Sequence, residues 1–252
     1  MRIKFLGTAT STGIPEIGCT CAVCTSRDSR DKRLRASVMV YTDEGKSILI
    51  DCGPDFREQM LKIDFLPIDG VLLTHEHYDH VGGIDDLRPF CKFGDVQLYA
   101  ENYVADALRN RIPYCFTEHK YPGVPEIVLH DIENKPFGIE GVGVEPVRLM
   151  HARLPIFGYR IRNFAYLTDL KTIPEEEYDK LQGLDVLVMN ALRIKEHISH
   201  QNLEQALEQA RRIGAKRTYF THLSHHMGLH SEVERMLPEG VFLPYDGLEI
   251  EL

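Results

Sequence analysis

The stretch Thr74-His75-Glu76-His77-Tyr78-Asp79-His80-Val81-Gly82-Gly83 puts four potential metal ligands, His75, His77, Asp79 and His80, within six residues. It follows the apolar run Val71-Leu72-Leu73, which reads as a buried strand. Side chains alternate along an extended chain, so His75 and His77 point the same way where the strand runs on. Asp79 and His80, one turn further, can face a second ion. Imidazole and carboxylate suit zinc, iron or manganese, and two such ions held close together polarise a substrate and generate hydroxide near neutral pH.

A second ligand-dense stretch is Cys19-Thr20-Cys21-Ala22-Val23-Cys24. Three thiolates this close can share one tetrahedral zinc if a fourth ligand comes from afar. His225 is the first candidate and His226 the alternative, both in Thr221-His222-Leu223-Ser224-His225-His226. Six cysteines in 252 residues do not resemble a disulfide framework. Cys52, Cys91 and Cys115 are isolated and read as ordinary buried small residues. The N-terminal Met1-Arg2-Ile3-Lys4-Phe5-Leu6-Gly7 enters a strand pattern directly, without the apolar stretch and cleavage site of a secretory signal. A reducing cytoplasm is therefore expected, and no apolar run approaches membrane-spanning length. The net charge of -9 argues against broad attraction to a nucleic-acid backbone or an anionic membrane, so a small substrate fits more easily.

Length and a hydrophobic content of 43% suit one large domain over 1–252, with a cysteine-rich excursion at about 13–36. Strands are expected over 2–6, 37–41, 47–50, 96–100, 127–129, 142–147, 159–161, 164–168, 186–189, 217–220 and 248–251. Helices are expected over 105–111, 175–181, 203–213 and 231–236, and another begins at Gly53-Pro54-Asp55-Phe56, with Asp55 as its cap and Phe56, Met60 and Leu61 as its apolar face. A helical turn after Gly83 should stop at Pro89. Residues 27–35 carry both signs of charge and read as a solvated face. No internal repeat or linker stands out. This order of strands and helices points to two sheets packed face to face with helices outside, an α/β protein of the αββα four-layer kind.

The His-x-His-x-Asp-His stretch resembles the signature of the metallo-β-lactamase-fold hydrolases, and other motifs follow in that family's order. Ile48-Leu49-Ile50-Asp51-Cys52-Gly53 resembles its strand-then-aspartate motif; His151, Asp169 in Tyr166-Leu167-Thr168-Asp169, and His222 in Phe220-Thr221-His222 resemble its remaining ligands. The resemblance implies that His75, His77 and His151 hold one ion, that Asp79, His80 and His222 hold the other, and that Asp169 bridges them. It implies that Asp51 orients a ligand histidine from behind, although an aspartate capping the turn before Pro54 would occupy the same position. The cysteine element is similar to that of the PhnP-like branch, phosphodiesterases of a phosphoribosyl cyclic phosphate that combine a structural zinc with a dinuclear site.

His200 precedes a helix whose Asn202 and Gln205 fit a capping box, and a helix N-terminus favours nearby anions. The branch resemblance implies a general acid there; His197 competes for the role. The expected reaction is hydrolysis of a small phosphodiester, cyclic or open, by two divalent ions, zinc or manganese, with Asp169 and His200 as catalytic residues and either a monomer or a homodimer as the assembly. Lactone or thioester hydrolysis and a PqqB-like accessory role in cofactor assembly are the alternatives. A tRNA 3′-processing nuclease shares the central motif, but the chain shows no basic arm to grip a long polyanion.

Overall fold

The structure, a computed structural model, describes residues 1–117, 120 and 122–252. The first sheet is built from β1 (Arg2–Gly7), β2 (Ser37–Tyr41), β3 (Ser47–Ile50), β4 (Gly70–Leu72), β5 (Val96–Glu101) and β6 (Ile127–Ile132). The chain then enters β7 (Phe137–Ile139), β8 (Val142–His151), β9 (Leu154–Ile161), β10 (Phe164–Leu167), β11 (Val186–Asn190), β12 (Arg217–Thr221) and β13 (Val241–Phe242), which form the second. Finally β14 (Glu249–Glu251) returns to the edge of the first sheet beside β1.

Each sheet, read from β14 or from β7, has three antiparallel pairings followed by three parallel ones. The two halves thus share a topology that no sequence repeat announces. Their strands are apolar on both faces because both faces are covered. In β3, Ile48 and Ile50 enter the core between the sheets while Leu49 faces the outer layer of helices. In β11, Val186 and Val188 face inward, and Leu187 and Met189 pack under the helices of the other side. That gives a helix–sheet–sheet–helix sandwich with three apolar layers.

The helices are α1 (Phe56–Met60), α2 (Tyr78–Val81), α3 (Asn102–Arg111), α4 (Leu203–Ile213) and α5 (His230–Glu234). Several local expectations need correction. Asp55 does not cap α1; its carboxylate takes the backbone N–H and the guanidinium of Arg35 instead, and Leu61 is left exposed. The turn after Gly83 runs through Pro89 as a 3-10 helix, Ile84–Phe93, and Glu175–Leu181 is also 3-10. Cys91 is only partly buried.

The stretch 27–35 is not a solvated face throughout, since Asp31 and Arg33 are buried. Arg33 donates to the Thr8 hydroxyl and to the Pro244 carbonyl, and its other amino group lies 2.9 Å from Nδ1 of His230. Thr8 in turn donates to Asp246, which also accepts from the Leu34 backbone. Burial draws Arg33 down to about 10 and pushes the Asp246 carboxyl up to about 6. This network ties the cysteine-rich excursion to the C-terminal strands.

Candidate metal centre

Open α/β sheets gather ligands at the carboxyl ends of their parallel strands, and the candidate ligands lie at such ends. Asp51 follows β3, Thr74 and His75 follow β4, Asp169 follows β10 and His222 follows β12, while His151 ends the antiparallel β8. Asp51, Asp169 and His222 have φ of 65°, 58° and 55°, left-handed values that cost a side-chain-bearing residue on the order of 1 kcal/mol or more each. Each turns the chain abruptly as it leaves its strand. Glycine permits the close packing beneath α2: a Cβ on Gly53 would lie 2.1 Å from the Asp79 carbonyl oxygen, and one on Gly83 would lie 2.1 Å from that of Gly53.

Three sets of ligand-type atoms converge, each with its members within 4.8 Å of one another: Asp79, His80, Asp169 and His222; His75, His77 and Asp169; and His151, Asp169 and His200. Asp169 belongs to all three. Its Oδ1 is 3.3 Å from Nε2 of His80 and 3.1 Å from Nε2 of His222, and its Oδ2 is 3.1 Å from Nε2 of His200. Every residue expected at a dinuclear centre is therefore brought to one place. His200 joins them more intimately than a residue merely preceding a helix would, being largely buried against Asp169.

The histidines are oriented from behind. Asp51 accepts a 2.7 Å hydrogen bond from Nδ1 of His80, which leaves no cap role for its carboxylate. It also accepts from the backbone N–H and hydroxyl of Thr74, whose Oγ1 lies 3.0 Å from Nδ1 of His75. One carboxylate thus steers two histidines, directly at His80 and through Thr74 at His75. His151 directs Nδ1 to the Asp169 carbonyl at 2.7 Å, and Thr168 donates to Asp169 Oδ1. Asn190 clamps both the N–H and the carbonyl of Leu170, just past Asp169. The sequence analysis did not assign a role to Thr74, Thr168 or Asn190, although each lies at or just past the end of a strand.

The donor set fits divalent cations. Nε2 of His75 is buried without a hydrogen-bond partner among the described residues, an expensive arrangement unless something else accepts its lone pair. Burial, with His80 beside it, pulls His75 well below the ordinary imidazole range. Burial opposes a charge on His80 too, yet Asp79, Asp169 and Asp51 together raise its pKa well above the usual value. Burial alone would raise Asp169, but His222 and His80 hold it well below the carboxylate range. The carboxylates that draw a proton onto His80 against its burial would draw a metal cation as well.

At the cysteine stretch, Nδ1 of His225 lies 3.3, 3.3 and 3.5 Å from Sγ of Cys19, Cys21 and Cys24. Ordinary zinc–sulfur and zinc–nitrogen bonds at tetrahedral angles require an S···N edge of about 3.5 Å. The geometry selects His225 over His226, which is exposed beside it. Nε2 of His225 is 3.2 Å from Glu16, a carboxylate the sequence analysis missed. The excursion is pinned beside the other site, because Leu223, which follows His222, exchanges backbone hydrogen bonds with Thr8 and Thr10.

A sequence profile described as Beta-lactamase superfamily domain matches residues 46–223, spanning β3 to the segment just past His222. The chain belongs to the β-lactamase superfamily. Its αββα sandwich is the metallo-β-lactamase fold of that superfamily. Among solved structures, a diphosphatase from the PhnP family superposes with a TM-score of 0.92 at 41% identity, covering 100% of this chain and 97% of that one. An octanoyltransferase of Porphyromonas gingivalis is 49% identical over 251 residues, which is 99% of this chain and 51% of that protein. Coenzyme PQQ synthesis protein B of Xanthomonas campestris is 30% identical over 160 residues, 56% of this chain and 52% of that protein. The chain spans about half the length of these two relatives. No helix among the described residues is long and apolar enough to cross a membrane.

Proposed function

We propose that the chain is a metal-dependent hydrolase of a small phosphodiester or diphosphate, working with two divalent ions, zinc or manganese. The observation that carries this reading is the convergence of three ligand sets on Asp169, in a chain that aligns end to end with a PhnP-family diphosphatase. His75, His77 and His151 are assigned to one ion, Asp79, His80 and His222 to the other, and Asp169 to both. When bound, such ions polarise phosphoryl oxygens and lower the pKa of bound water. Asp51 and Thr74 keep His80 and His75 in the tautomer that turns Nε2 toward the centre. His200 is assigned to protonate the leaving oxygen from Nε2. Its Nδ1 is backed by the Ser199 hydroxyl at 3.0 Å and by His197 at 3.2 Å, which leaves His197 one step behind it. Cys19, Cys21, Cys24 and His225 are assigned to a structural zinc.

The octanoyltransferase relative favours a second reading, in which the same centre cleaves an acyl thioester. The purified, metal-analysed protein should therefore be offered bis(4-nitrophenyl) phosphate, an inorganic or organic diphosphate, and an octanoyl thioester. Chelator-sensitive turnover of either phosphorus substrate supports the first reading. Turnover of the thioester alone replaces it with the second, and a metal-loaded protein inert toward all three points to a PqqB-like accessory role.

A further inference from the structure

A cavity of about 390 Å³ is lined by Arg193, Ile194, Lys195 and His226, on the segments that lead to His197 and from His222. Its size is within the range of small-molecule sites. No carboxylate lines it, and among the described residues neither Arg193 nor Lys195 forms an ion pair. In a chain of net charge -9, Arg193 and Lys195 outweigh the one carboxylate of their loop, Glu196, and leave it locally positive. The loop is also held in shape. Arg193 donates from Nε to the Lys195 carbonyl and from Nη2 to the Glu196 carbonyl at 2.7 Å, so its guanidinium is preorganised without being neutralised. Leu203 N–H binds the Arg193 carbonyl at 3.0 Å, and Asn202 reaches that of Ile194.

The opposite wall, His226, is fixed to the same frame. Ser224 N–H bonds the Leu192 carbonyl at 2.9 Å, joining the segment just before His225 and His226 to the residue just before Arg193. His226 packs its ring 4.0 Å from that of His225, and its own N–H is taken by the Ser224 hydroxyl. The cavity is also connected to the chemistry. Arg193 grips the carbonyl of Glu196, the residue immediately before His197. From His197 two contacts, of 3.2 Å to His200 and 3.1 Å from His200 to Asp169, lead to the shared carboxylate.

We infer that Arg193, Lys195 and His226 form an anion subsite that holds a second, non-reacting phosphoryl group of the substrate while the first lies at the metal centre. The inference rests on the reading of the chain as a phosphoryl hydrolase and adds the residues that select among its substrates. Arg193 offers a planar fork to a phosphate, Lys195 a mobile point charge, and His226 a ring N–H. The cysteine site gains a task as well, since by holding His225 it holds His226 against the cavity.

The test compares thymidine 5′-(4-nitrophenyl phosphate) with its 3′-phosphorylated counterpart, using metal-loaded wild type, Lys195→Ala and the Arg193→Ala/Lys195→Ala double variant. Wild type should prefer the 3′-phosphorylated diester by about tenfold or more in kcat/KM. That ratio should fall in Lys195→Ala and approach one in the double variant, with metal content and circular dichroism preserved. The same ratio in all three proteins overturns the subsite and leaves the hydrolase reading intact. Calorimetric titration with thymidine 3′,5′-bisphosphate and thymidine 5′-phosphate reads the preference without turnover. If neither diester is cleaved but the bisphosphate still binds wild type about tenfold more tightly than the double variant, the hydrolase reading fails and the anion subsite stands. Equal affinities overturn the subsite.

Discussion

At the scale of single residues, the centre depends on side chains that touch no reacting atom. Thr74 joins the Asp51 carboxylate to His75, so Thr74→Val should leave a buried carboxylate short of a donor and cost about 1–3 kcal/mol. Metal affinity should fall roughly 10- to 100-fold, as for other supports of ligand histidines, and Thr74→Ser should restore most of it. Chelator competition and urea unfolding measure the two effects; a valine variant that matches wild type in both removes the relay. Asp246 supplies a pH prediction. Its carboxyl is pushed up to about 6 in the fold, so the folded chain holds that proton more tightly than the unfolded chain does. Its contribution to stability is full below about pH 4 and declines as pH rises through 6, by up to roughly 3 kcal/mol. Asp246→Asn should flatten the urea-midpoint profile between pH 4 and 8 relative to wild type. An unchanged slope would mean that the buried carboxylate is better compensated than its contacts with Thr8 and Leu34 indicate.

At the scale of elements, α4 shows how capping positions chemistry. Asn202 and Gln205 form a reciprocal capping box, and Lys171 spans from Gln205 to the carbonyls of His197 and His200. The cap therefore fixes the loop that presents His200. Asn202→Ala should cost about 1 kcal/mol in urea unfolding. It should also speed amide exchange over residues 197–201 more than over β11. Uniform loosening would show that the cap serves the helix alone. The capping box was legible in the sequence because its signature is local. The left-handed turns at Asp51, Asp169 and His222 were not, because no residue there is glycine and only the surrounding fold enforces them.

At the scale of the whole molecule, metal and fold should be thermodynamically linked. Ions that bind only the folded chain at about a thousand times their Kd contribute roughly 4 kcal/mol to stability. A chelator should therefore lower the Tm of wild type by several degrees, whereas Asp169→Ala, which removes the carboxylate shared by all three ligand sets, should start lower and respond much less. Calorimetry with and without chelator makes the comparison. A wild-type Tm indifferent to the chelator would argue against ions at this centre. The duplicated topology also emerges only here: both halves have the same order of antiparallel and parallel pairings, although the residues filling them differ.

The order of strands and helices along the chain by itself pointed to the sandwich, since runs of strands mixed with helices bury their apolar faces in packed layers. Dense local spacing also announced the two ligand stretches, 74–83 and 19–24, because their geometry is set by near neighbours along the chain. Tertiary structure decided what arrives from afar. It selected His225 over His226 at the thiols, set Glu16 behind that histidine, and buried Arg33 and Asp31 within a run that reads as solvated. It gave Asp51 to His80 and Thr74 rather than to a turn, and Asp55 to Arg35 rather than to a helix end. The physical reason is common to all of these. A buried polar group takes whichever partner the packing of distant segments brings within hydrogen-bond reach, and periodicity carries no record of that choice.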